Sequence, residues 1–220
     1  MTAIFDSFLH FDLSIFEWVQ SIQNNILDMF FKYYTMLGEA GILFIVIAIA
    51  LLITRRYRKV GFAMIVALAI MVVGNNLILK NIFARPRPFN LDPDAYAWWF
   101  KVYVFPEIVE KPSSFSFPSG HSSSAFAVAF VAMFYSRKWG FINLFLAILM
   151  AFSRVYVEVH YPSDVIAGVL VGLIYALLAA IVVKLLYPVF DRTVRKIADR
   201  KKVPAADEGA DPEAAEQEEA

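Results

Sequence analysis

The sequence predicts an all-α, polytopic membrane bundle of five to six transmembrane helices. Three observations predict it. Of the 220 residues, 60% are hydrophobic and 18% charged, against about 45–50% and 25% in ordinary soluble domains. The apolar residues gather into stretches close to the roughly 20 residues that cross a bilayer. The basic residues gather between those stretches, in short connecting segments.

The first stretch, from about Ile15 to Leu37, is the weakest, because it holds Glu17, Gln20, Gln23, Asn24, Asn25, Asp28 and Lys32. It is read as a first span, the alternative being an amphipathic helix lying at the interface. Five clearer stretches follow: Glu39 to Thr54, Val60 to Phe83, Ser119 to Tyr135, Trp139 to Val155 and Ser163 to Tyr187. Together these make a membrane-embedded domain over residues 1–190. Residues 191–202 form a basic juxtamembrane segment. Residues 203–220 form an Ala/Glu/Pro tail with too little apolar matter to fold. The formal net charge of zero averages these unlike parts. The tail has seven acids and no Lys or Arg, so residues 1–202 carry twenty basic and thirteen acidic side chains, a net of +7. With no cysteine, disulfides, thiolate zinc sites and cysteine-nucleophile phosphatase chemistry are excluded. The acidic N-terminal stretch lacks a basic n-region, so no cleavable signal peptide is expected.

Orientation follows from the short loops. Four positive charges in "RRYRK" (Arg55 to Lys59), two in "SRK" (Ser136 to Lys138) and seven from Lys184 to Lys202 fall on one side when the spans alternate. That side is read as cytoplasmic. The loop Ala84–Pro118 and the turn "VEVHYP" then face outside. At this outer face the same topology collects Lys80, Arg85, Arg87, His121, Arg154, His160 and Asp164. Polar groups near a bilayer need a reason. Several fixed cations bind an oxyanion with many negative oxygens, such as phosphate. "PSGH" opens a helix whose N-terminus favours an anion, and Gly120 lets the backbone come close. Ser119 and Gly120 are therefore candidate phosphate ligands. In "HYPSD", Asp164 stands four residues after His160 and is placed to bond one ring nitrogen, leaving the other to attack phosphorus. His121, on another helix, can protonate the leaving oxygen. Arg85 has no such role and reads as a solvated or headgroup contact. Asn75 and Asn76 read as interhelical glue or as support for the site. "SSSAFAVAF" reads as a close-packing helix face, and the aromatic run Tyr96 to Phe105 as an interfacial belt.

At these residues the sequence resembles the type 2 phosphatidic acid phosphatase superfamily, which also contains the vanadium haloperoxidases. The family's first motif, Lys, six residues, Arg-Pro, reads as Lys80 to Arg87–Pro88. The second, Pro-Ser-Gly-His, is Pro118 to His121. The third, Ser-Arg, five residues, His, three residues, Asp, reads as Ser153–Arg154, His160 and Asp164. The resemblance implies that Lys80, Arg87, Ser119, Gly120 and Arg154 bind phosphate. It implies that His160 becomes phosphorylated, Asp164 orients it and His121 protonates the leaving group, with no metal or cofactor. The implied partners are a lipid phosphate and the bilayer, with no nucleic acid. Bacterial members of the family act on undecaprenyl diphosphate, phosphatidylglycerol phosphate or phosphatidate, and an undecaprenyl-diphosphatase-like member in a cell membrane is expected. Two rival readings are a vanadate-dependent haloperoxidase and a non-catalytic phospholipid-binding or transport protein.

Overall fold

The computed structural model describes residues 2–91 and 108–200. The aromatic run Tyr96 to Phe105 and the acidic tail lie outside the described residues. Every regular element among the described residues is helical: α1 (Thr2–Ile22), α2 (Asn25–Leu37), α3 (Ile42–Ile53), α4 (Arg58–Met71), α5 (Lys80–Phe83), α6 (Gly120–Tyr135), α7 (Arg137–Tyr156) and α8 (Pro162–Arg200). The first stretch, read from sequence as one helix, is two. Asn24 ends it: its side chain accepts from the amides of Ile26 and Leu27 and starts α2 afresh, the ordinary habit of an N-cap asparagine. At the other end, α8 runs through Pro188 to Arg200, past the basic boundary that the sequence suggested.

Among the described residues, three segments are long and apolar enough to cross a membrane: Arg55–Asn90, Arg137–Tyr156 and Pro162–Ala198. The pair α2 and α3, bent by 54°, makes a fourth if counted as one span. Helix α6 has 16 residues, about 24 Å of rise, and ten of them are buried. It is the central helix, packed most extensively against α7 and α4. Outward-facing positions carry Ile45, Val46, Ile49, Leu77, Phe141, Phe145, Leu170 and Leu177, all exposed. An exposed apolar surface of this extent suits lipid rather than water.

Within residues 1–183, close approach is built from small residues. A Cβ on Gly61 of α4 would stand 2.3 Å from the Leu52 amide nitrogen of α3. On α8, Gly168 and Gly172 form a small-xxx-small face against the serines and alanines of α6. Cβ atoms there would stand 2.9 Å from Ser119 O and 3.0 Å from the Ala127 amide nitrogen. Such faces let backbones meet where the hydrophobic effect gives no drive between helices. The "SSSAFAVAF" run is thus a packing face, with Ser122 to Ala129 all buried.

Between α4 and α5 the chain makes a π-helical segment, Val72–Leu79, and the Lys80 amide bonds Asn75 O, five residues back. Such wide turns cluster at functional sites because they re-aim side chains. Here Asn75 turns fully inward. It accepts from Ser123 Oγ at 3.1 Å and donates to Pro118 O at 3.5 Å. It is both interhelical glue and a clamp on the "PSGH" loop.

Candidate active site

Two non-glycine residues in left-handed backbone conformations frame the site. Ala84 (φ 45°) ends α5 and turns the chain toward Arg85 and Arg87. Glu158 (φ 53°) reverses the chain after α7 and presents His160. Each conformation costs about 1 kcal/mol and persists only where the surroundings over-determine it. The "PSGH" loop is tied to the start of α8 by the Ser119 amide, which donates to Asp164 O at 3.1 Å.

These turns bring Lys80, Arg87, His121, Arg154 and His160 onto one cavity of about 370 Å³. Arg87 is buried and fully engaged. Its Nε donates to Ser114 O at 2.6 Å, and its Nη1 donates to Val159 O at 2.7 Å and to His160 Nε2 at 3.3 Å. Lys80 Nζ donates to Ser114 Oγ at 3.3 Å. Arg154 Nη1 donates to Thr35 Oγ1, while its Nε is buried without a hydrogen-bond partner among the described residues. A Cβ on Gly120 would lie 3.9 Å from Lys80 Nζ, so the glycine keeps room beside the lysine amine. Ser119 differs from expectation. Its hydroxyl is buried and accepts from Ser122 Oγ and the Ser122 amide, capping α6, and Ser119 is not on the cavity wall. The same capping habit that drew attention to it turns the side chain into its own helix.

His160 is 1% exposed. An arginine can only donate, so its contact makes Nε2 the bare acceptor and Nδ1 the protonated nitrogen. Nδ1 faces Ser116 Oγ at 3.4 Å and Asp164 Oδ2 at 3.6 Å. The carboxylate therefore stands behind the imidazole but beyond hydrogen-bond distance, because its oxygens are taken elsewhere. Oδ2 accepts from Ser116 Oγ and from the Tyr161 amide at 3.1 Å, and Oδ1 accepts from Arg85 Nη1 at 2.5 Å. Burial, followed by the charges of Arg87, Arg154 and Lys80, pushes the His160 imidazole well below its usual range.

Arg85 corrects the sequence reading. It is 3% exposed, not solvated, and it joins Asp164 to Asp12 of α1. Asp12, Ser116 and Thr35 were missed as well. A signal for Asp12 existed: it falls in register with Leu9, Leu13, Phe16 and Val19, all buried, so it is a carboxylate on an apolar stripe.

The PAP2 superfamily model matches residues 56–187, more than half of the chain. The chain belongs to the PAP2 superfamily. It is 32% identical over 163 residues to an undecaprenyl-diphosphatase of Sulfolobus acidocaldarius, covering 74% of this chain and 73% of that protein. It is 29% identical over 176 residues to the undecaprenyl-diphosphatase BcrC of Bacillus subtilis, covering 80% and 84%. Its fold is similar to the crystal structure of a transmembrane PAP2-type phosphatidylglycerolphosphate phosphatase from Bacillus subtilis, with a TM-score of 0.60 and 24% identity over 82% of this chain and 86% of that one. The three motifs read in the sequence thus supply three of the cavity's cations and both histidines, with Lys32 of α2 a fourth cation, while Arg85 and Asp12 stand behind them.

Proposed function

We propose that this PAP2 protein is a membrane lipid phosphatase that removes the terminal phosphate of undecaprenyl diphosphate. One observation carries the reading: two histidines from different elements face one cavity with four cations, Lys32, Lys80, Arg87 and Arg154. In the proposed cycle Lys80, Arg87, Gly120 and Arg154 hold the terminal phosphate, with Ser119 fixing the loop that carries Gly120 and His121. The bare Nε2 of His160 attacks phosphorus. The bond from phosphorus to the bridging oxygen breaks, and His121 gives that oxygen a proton. Asp164 balances the charge on phosphohistidine from behind. Water, deprotonated by His121, then displaces phosphate and restores His160. The products are undecaprenyl phosphate and inorganic phosphate, and no metal takes part.

The choice of lipid rests on the two undecaprenyl-diphosphatase relatives and on charge. Lys32 of α2 lines the same cavity and adds a cation for the second phosphate. The finer architecture follows the same reading. Domain 1–190 crosses the membrane five to six times, and the pocket faces outward. Residues 191–202 and the tail 203–220 lie in the cytoplasm. The order of helix ends supports the sidedness: Lys80, His121, Arg154 and His160 stand at the ends away from "RRYRK" and "SRK".

The test is phosphate release by the purified protein in detergent with EDTA, beside His160→Ala. Expected is EDTA-resistant release from undecaprenyl diphosphate that falls by at least about a thousandfold in the variant, the scale of losing a nucleophile. Faster release from phosphatidate or phosphatidylglycerol phosphate would reassign the substrate. Release unchanged in His160→Ala would sink the mechanism. Halide- and peroxide-dependent halogenation with vanadate would favour the haloperoxidase reading instead.

A further inference from the structure

Helix α1 lies outside the stretch that the family model matches, residues 56–187, yet one of its side chains reaches the catalytic turn. Asp12 is fully buried. Its Oδ1 accepts from the Ser163 amide at 2.7 Å, at the start of α8, and its Oδ2 accepts from Ser163 Oγ at 2.6 Å and Arg85 Nη2 at 2.9 Å. The other arm of Arg85 donates to Asp164 Oδ1 at 2.5 Å and to Ser163 Oγ at 2.8 Å. The faces of the guanidinium are covered by Tyr161, 3.7 Å from the ring centroid, and Phe5, at 4.5 Å. One cation therefore sits between two carboxylates and two rings.

We infer that Asp12 is a positioning residue for the phosphotransfer step, acting through Arg85 and Asp164 on His160. This rests on the functional reading above. The argument is one of charge as well as geometry. Paired with Asp164 alone, Arg85 would cancel the negative charge that phosphohistidine needs behind it. Asp12 shares that cation, so the Asp12–Arg85–Asp164 group keeps one net negative charge next to His160 Nδ1. Asp12 also fixes the guanidinium, so Asp164 is held while the imidazole changes charge.

The groups facing His160 are Arg87 after α5, Lys80 on α5, His121 on α6, Arg154 on α7 and Asp164 on α8, with Lys32 on α2, Glu39 after it and Glu110 before α6 on the same cavity wall. Among these, only Asp164 touches Arg85. Removing the Asp12 charge therefore reaches His160 chiefly through Arg85 and Asp164, while the oxygen that Asp12→Asn retains for the Ser163 amide keeps the start of α8 capped.

Asp12→Asn keeps the shape and an oxygen for the Ser163 amide but removes the charge. The measurement is steady-state hydrolysis of undecaprenyl diphosphate across pH for wild type, Asp12→Asn, Asp164→Asn and the double variant, normalised to folded protein. Expected is a kcat loss of roughly tenfold or more with KM unchanged, and an acid limb moved to lower pH. The loss should also fail to multiply with that of Asp164→Asn, because the two act as a unit. Turnover per folded molecule within about twofold of wild type, a loss in KM alone, or losses that multiply fully would each overturn the inference and leave a purely structural cap. If Asp12→Asn does not fold, Arg85→Lys is read in its place, since it keeps the charge but has no fork to bridge the carboxylates. The same kcat loss supports the inference, and wild-type turnover overturns it. A wild type without His160-dependent turnover would overturn the functional reading together with this one, whereas an active wild type with an unaffected Asp12→Asn overturns this one alone.

Discussion

In the proposed cycle His160 attacks as a neutral imidazole, and its surroundings favour that form. Burial and then Arg87, Arg154 and Lys80 disfavour the cation. A group whose charged form is disfavoured takes up its proton only below its ordinary pKa of about 6.5. The proposed nucleophile is therefore already free at its ordinary titration point, and kcat/KM should hold as the pH falls through 6.5, failing only lower. A pH–rate profile with its acid limb at or above 6.5 would contradict this. Arg85 belongs to the same scale. As an isolated letter in "ARPRP" it looks like one more cation at a membrane surface, because the carboxylates it joins lie 73 and 79 positions away. Linear spacing exposes a motif whose members are near in sequence, such as His160 and Asp164. It conceals a residue whose meaning comes from two distant partners.

The contact between α6 and α8 decides where the "PSGH" loop stands. Gly172 is closely confined on three sides, since a Cβ there would be 3.0 Å from the Ala127 amide nitrogen, from Phe126 Cβ and from Ser123 O. Two of these are backbone atoms that cannot turn aside. Gly172→Leu should therefore push the helices apart and cost about 1–3 kcal/mol, the usual range for overpacking. It should be read as a lowered melting temperature in detergent beside Leu177→Ala, an exposed control expected to stay near wild type. An unchanged melting temperature in Gly172→Leu would mean that the contact is looser than drawn. The helical elements were legible because hydropathy and small-residue spacing are properties of local sequence. The π-helical turn at Val72–Leu79 was not, since one added residue per turn leaves the apolar pattern almost unaltered. Nor was the break at Gln23–Asn24, where an amphipathic stretch reads equally well as one helix or two. The continuation of α8 through Pro188 escaped for a related reason: a proline marks a weak point in a helix, not an obligatory end.

At the scale of the whole molecule, sidedness is the claim with the most consequences. Thirteen of the twenty basic residues lie in three groups that alternate with the ends carrying the motif residues. A reporter fused after Lys202 should be active only when kept in the cytoplasm, and an externally active reporter there would reverse the topology and place the pocket inside. The bundle as a membrane fold was readable from composition alone. The joining of α1 to the catalytic turn was not, because Asp12 and Ser163 are 151 positions apart and nothing local to either names the other.

Arg154 Nε is a buried donor with no hydrogen-bond partner among the described residues, held near Arg87 and Lys80. An anion that reaches this corner satisfies charge and geometry together, and that is as true of the released product as of the incoming headgroup. Inorganic phosphate leaves only by breaking the same contacts that captured the substrate. Product phosphate and the incoming headgroup therefore compete for the same corner of the cavity.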